Sequence, residues 1–133
     1  MSSIDSKNNV SNLNGLTPAT IATNTTTPGE IIDTKGFESL SFLNRASNYT
    51  DGTYTPLIED GEDSGLSDAA AVTDTFLIGT EADAALSANS VSKIGYIGKK
   101  RYVRLSYVST STTTGATLDS VAVLGDPIKA PVA

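Results

Sequence analysis

The stretch that decides the fold reads Ser92-Lys-Ile-Gly-Tyr-Ile-Gly-Lys-Lys-Arg-Tyr-Val-Arg-Leu-Ser-Tyr-Val108, then a Ser/Thr/Gly bridge over residues 109–115, then Ala116-Thr-Leu-Asp-Ser-Val-Ala-Val-Leu124. β-branched and aromatic residues crowd positions 102–108, a composition that suits a pleated, half-buried surface. Alternation puts Val103, Leu105 and Tyr107 on one face and Tyr102, Arg104 and Ser106 on the other. The second run alternates too, with Ala116, Leu118, Ala122 and Leu124 opposed to Thr117, Asp119, Val121 and Val123. The spacing predicts a long antiparallel hairpin with Gly115 free to take positive φ in the bridge. Val103, Leu105, Leu118, Ala122 and Leu124 are its expected core. A lone hairpin is not stable in water, so the rest of the chain must supply more sheet.

Working outward, strands are expected over residues 30–34, 37–43, 54–59, 73–78 and 91–97, separated by turn signals at Lys35-Gly36, Asp51-Gly52 and residues 60–65. Residues 37–43 carry apolar side chains on both faces, as a central strand does. Pro56 points to an edge for residues 54–59. Single helical turns are expected within residues 67–72, capped by Ser67, and 81–86. The result is about seven short strands and no long helix, an all-β class. The architecture is an antiparallel β-sandwich, jelly-roll-like, with a barrel as the alternative. No amphipathic segment separates the strands as parallel α/β would need.

The domain reading is an extended N-terminal arm at 1–29, a β-sandwich at 30–127 and a short tail at 128–133. The arm is rich in Ser, Asn and Thr, with Leu13, Leu16 and Ile21 as scattered apolar points. Order there requires the domain's own sheet or a neighbouring chain. Leu13, Leu16 and Ile21 in the arm, Lys99, Lys100 and Arg101 in the turn, and Ile128 and Val132 in the tail are the candidate interface residues.

The length of 133 residues fits one domain. A net charge of −6 argues against nucleic acid, which binds clustered positive charge. The chain has no Cys and no His, which removes thiol chemistry and the commonest general base and metal ligand. No run approaches the length of a membrane span, and the first residues lack the pattern of a secretion signal, so a soluble chain without membrane contact is expected. Charge is segregated. Residues 46–92 hold nine acidic groups and no Lys or Arg, and residues 93–104 hold five basic groups and no acid. Either the segments neutralise each other inside one domain, or they complement another surface. In the second case, Lys99, Lys100 and Arg101 would meet an acidic surface such as the 59–63 turn of another copy.

Catalytic constellations are weak. Ser92 and Lys93 are adjacent in a strand and point to opposite faces. Glu59, Asp60, Glu62 and Asp63 offer paired carboxylates, but an exposed turn supplies no cleft and no raised pKa. Their spacing also departs from a calcium loop, and a turn whose Asp side chains cap local N–H groups is the expected arrangement. Residues 95–100 lack the spacing and following helix of a phosphate loop. No cofactor and no metal is expected. Tyr96, Tyr102 and Tyr107 fit strand interiors as readily as a sugar-binding platform.

Three elements together resemble a family. They are Tyr54-Thr-Pro-Leu-Ile-Glu-Asp-Gly61, the Tyr-x-Gly-x-x-Arg-Tyr-Val-Arg element from Tyr96 to Arg104, and Val121-Ala-Val-Leu-Gly-Asp-Pro127. Lys7-Asn-Asn-Val10, Gly36-Phe-Glu-Ser-Leu-Ser-Phe42 and Thr112-Thr-Thr-Gly-Ala116 agree with it. The pattern resembles the capsid decoration, or cement, proteins of tailed bacteriophages. The resemblance implies a non-enzymatic protein on the outer surface of the virion, assembled in the bacterial cytoplasm. It also implies that the protein bridges major capsid protein subunits as a homo-oligomer, a trimer favoured over a dimer. Other classes consistent with the residues are a carbohydrate-binding or adhesin module, and another virion part such as a head–tail connector or tail component.

Overall fold

A computed structural model describes residues 7–128. Among them the chain forms nine strands: β1 (Ser11–Ile21), β2 (Thr26–Asp33), β3 (Phe37–Ser47), β4 (Thr53–Gly61), β5 (Ala70–Ala71), β6 (Leu77–Ile78), β7 (Ser90–Tyr96), β8 (Tyr102–Thr110) and β9 (Ala116–Pro127). They build two antiparallel sheets, β1-β9-β3-β7-β6 and β2-β8-β4-β5. The pairing is nested: β1 with β9, β2 with β8, β3 with β7, β4 with β5. A long folded-over hairpin wound this way is a jelly roll, so the expected β-sandwich class holds.

The expected local hairpin does not form. β8 pairs with β2 and β4, and β9 pairs with β1 and β3, in the opposite sheet. Residues 98–101 likewise link β7 and β8 across the two sheets instead of closing a hairpin. Alternation reports which side of a strand is buried, and that side is the same whether two strands lie side by side or face each other across a core. The expected core is accordingly correct: Val103, Leu105, Leu118, Ala122 and Leu124 are all buried, together with Phe42, Tyr54, Ile58 and Tyr107. β3 is central, as its two-sided apolar pattern requires.

The N-terminal arm requires correction. Residues 11–21 form the edge strand of the five-stranded sheet, and the expected boundary between residues 29 and 30 falls inside β2. Backbone pairing to β9 holds this polar segment, and Leu16 and Ile21 enter the core on its inward side. Both edge strands are bulged, β1 near Gly15 and β2 between Pro28 and Ile31. They touch there: a Cβ on Gly29 would sit 2.2 Å from the carbonyl oxygens of Gly15 and Leu105, so only glycine permits the closure.

The outer edge of β4 is finished without a full strand beside it. Tyr54 exchanges backbone hydrogen bonds with Leu86 at 2.9 and 2.8 Å, Pro56 has no N–H to satisfy, and the Ile58 N–H donates to the Glu81 carboxylate at 2.8 Å. Burial pushes the Glu81 carboxyl pKa up against that hydrogen bond. The helical turn expected at 67–72 is replaced at Ala70–Ala71 by pairing with Glu59 and Asp60, because this open edge offers backbone partners. Of the strand expected at 73–78, only Leu77–Ile78 pairs, after a 3-10 turn at Asp74–Phe76. Inside, Ser120 Oγ donates to Asn44 Oδ1 at 2.9 Å, Asn44 Nδ2 reaches Ser92 Oγ at 3.4 Å, and Ser92 Oγ donates to the Ala84 carbonyl at 2.8 Å. The Asp51 carboxylate accepts the N–H groups of Thr113, Thr114 and Gly115, tying the β8–β9 link to the β3–β4 link, with Gly115 at φ +99°. The Thr113 hydroxyl and these amides hold the Asp51 carboxyl well below the usual range.

Candidate functional site

Two surfaces stand out. The first is an open cleft of about 660 Å³ between the β2–β3 turn and the β7–β8 link. Lys99, Lys100 and Arg101 line it, as does Lys35 beside Gly36, whose φ of +93° makes the turn. Phe37, Leu40 and Tyr96 supply its apolar lining. The β7–β8 link is held in place: Tyr96 donates its hydroxyl proton to Asp60 Oδ2 at 2.6 Å and accepts the Lys100 N–H at 3.1 Å. The link lies so close to the Tyr96 ring that a Cβ on Gly98 would be 2.4 Å from the phenolic oxygen. Burial, with the Asp60 contact second, pushes the Tyr96 phenol well above its ordinary pKa.

Arg101 does not keep a free charge. Its guanidinium bonds Asp33 through two contacts of 2.8 Å and sits 5.0 Å over the Tyr102 ring. The Arg101 hydrogen bonds hold the Asp33 carboxyl down at about 2. The other ion pairs among the described residues are Arg45–Asp119 and Arg104–Glu59; Lys35, Lys99 and Lys100 form no ion pair with a described residue, though the charges of Lys35 and Lys100 help to lower the Asp33 and Asp68 carboxyl pKa values. In the sequence Lys35 shows nothing beyond its place beside a turn glycine; tertiary structure alone joins it to Lys99 and Lys100.

The acidic turn serves the domain itself. Asp68 accepts the Glu62 and Asp63 N–H groups at 2.9 and 3.2 Å, and Asp63 accepts those of Gly65 and Ser67 at 2.9 and 3.2 Å. These amides lower both carboxyl pKa values. Glu59 is paired with Arg104 at 3.0 Å across the β4–β8 register. One ion pair on neighbouring strands, Arg104–Glu59, joins the basic segment to the acidic one, while Arg101 turns to Asp33 outside the acidic segment.

The second surface is the outer face of the five-stranded sheet. Leu43 lies opposite Val121 on β9 and Lys93 on β7, and Arg45 lies opposite Asp119 and Val91. Leu43 is 46% exposed and Val91 75%. Ile78 is exposed beside Gly95, where a Cβ would come within 3.2 Å of its own, and the exposed Phe76 accepts a backbone hydrogen bond from exposed Ile97. Six of the nine large exposed apolar residues among the described ones therefore belong to this face and its β6–β7 margin.

The other expected interface residues scatter. Leu13 is exposed at the β1 edge, whereas Leu16 and Ile21 are buried and unavailable to a partner. Ile128 is exposed and donates its N–H to the Gly36 carbonyl at 2.9 Å, at the mouth of the cleft. Val132 lies outside the described residues. Tyr96 and Tyr107 are buried, which removes them as a sugar-stacking platform, and the half-buried Tyr102 ring is covered by the Arg101 guanidinium. Comparison with known proteins finds no matching family model, curated protein or solved structure.

Proposed function

We propose that this chain is a non-enzymatic structural virion protein that decorates and stabilises a phage capsid by bridging neighbouring major capsid protein subunits. The observation that carries the reading is the apolar outer face of Leu43, Ile78, Val91 and Val121, surface that gains stability when another protein covers it. The identity of that protein rests on the resemblance carried by residues 96–104 and 121–127. Jelly rolls occur as viral shell domains and as lectin domains, so fold analogy admits the assignment without selecting it. On this reading the outer face of the five-stranded sheet packs on the capsid exterior. A homo-oligomer, a trimer before a dimer, multiplies modest contacts by avidity over the repeating shell. The test is co-sedimentation of the Leu43→Glu, Val91→Glu double variant with purified capsids. Loss of capsid binding with an unchanged circular dichroism spectrum is expected. Undiminished binding overturns the assignment of this face.

A further inference from the structure

We infer that the cleft between the β2–β3 turn and the β7–β8 link receives an acidic segment of a partner polypeptide. Three ammonium groups that form no ion pair with a described residue, Lys35, Lys99 and Lys100, converge there from links more than sixty positions apart, in a chain of net charge −6. Cations gathered on an acidic protein are complementary to a local anion. Between them lies the half-buried Phe37, which offers an apolar contact to a side chain carried between carboxylates. The frame is pre-organised by the Tyr96–Asp60 and Arg101–Asp33 bonds, which lowers the ordering cost of binding.

The same surroundings select among anions. Glu38 lines the cleft, and Asp33 and Asp60 sit at its margins. A polyphosphate backbone, with closely spaced charges, would set further phosphates against these carboxylates, whereas a peptide can space its carboxylates around them. A second copy's acidic turn is a weaker occupant, because Glu59 is committed to Arg104 and Asp60 to the Tyr96 hydroxyl, and the Asp63 and Asp68 carboxylates are fixed on backbone N–H groups of their own turn. The inference rests on the attachment reading only in taking the partner to be a protein.

The test titrates the 15N-labelled full chain with a synthetic peptide, acetyl-Asp-Leu-Asp-Glu-Leu-Asp-amide, and follows backbone amide shifts. Saturable shifts at Gly36, Gly98, Lys99 and Arg101 are expected, weakening as salt is raised. The Lys35→Glu, Lys99→Glu double variant should bind about tenfold or more weakly while its spectrum outside the cleft is unchanged. Absence of shifts in the cleft overturns the inference. So does an equal response to the Asn/Gln counterpart of the peptide, to inorganic phosphate at equal concentration, or tighter binding of a thymidine oligonucleotide. The titration contains no capsid, so its failure is distinct from failure of the co-sedimentation.

Discussion

The outer faces of the two sheets are made by the same alternation and completed differently. On the four-stranded sheet two cations find partners in their own chain: Arg104 on β8 closes on Glu59, and Arg101, just before the strand, closes on Asp33. Thr26, Thr53, Thr55 and Thr110 occupy neighbouring outward positions in the register. On the five-stranded sheet Leu43, Ile78, Val91 and Val121 face outward, with the Arg45–Asp119 pair beside them. Among the described residues the four-stranded face leaves one large apolar side chain well exposed, Ile31 opposite Arg104, whereas the five-stranded face and its β6–β7 margin leave six. The difference separates residues that hold the fold from residues that are free to serve a partner, even where the two kinds are adjacent in sequence.

Phe42 and Leu43 break that comparison most sharply. Phe42 is 0% exposed in the core, so Phe42→Ala should cost about 3–5 kcal/mol in urea unfolding. Leu43→Ser, one position on, should change stability by less than about 1 kcal/mol while weakening capsid binding. A smaller effect distinguishes two buried serines. Asn44→Ala strands the Ser120 hydroxyl and should cost about 2 kcal/mol. Ser106 Oγ is buried without a partner among the described residues, so Ser106→Ala should be neutral or slightly stabilising in the same assay.

The smallest effect is electrostatic and belongs to the four-stranded face. The folded Asp33 pKa, at about 2, lies below its ordinary value of 3.8 because Arg101 holds the ionised form. Its contribution is therefore fully present above pH 3.8 and lost as pH falls toward 2. Both side chains are well exposed, so the difference is small. Urea midpoints of the parent and Arg101→Gln proteins should differ slightly at neutral pH and converge near pH 2; a gap that persists at low pH contradicts the pairing.

Deleting residues 1–29 would remove β1 and half of β2, so such a truncation reads folding before it reads binding. The polar composition hides this, because β1 is held mainly by backbone hydrogen bonds to β9, which any side chain permits. The cleft is hidden for a related reason. Lys99 and Lys100 are visible as a run, but Lys35 joins them only after β2 and β8 pair, and Arg101 leaves them only once Asp33 is beside it.

What the chain determined locally was its periodicity and its punctuation. Period-two alternation chose the buried side of β3, β8 and β9, and glycines at residues 36, 52 and 115 took the positive φ their turns require. What only tertiary structure decided was adjacency. The nested pairing that sets β8 and β9 in opposite sheets, draws β1 into the body and gathers the lysines is a long-range closure. Backbone ladders accept many neighbours with nearly equal energy, and the choice among them is made by how all the buried faces fit around one core.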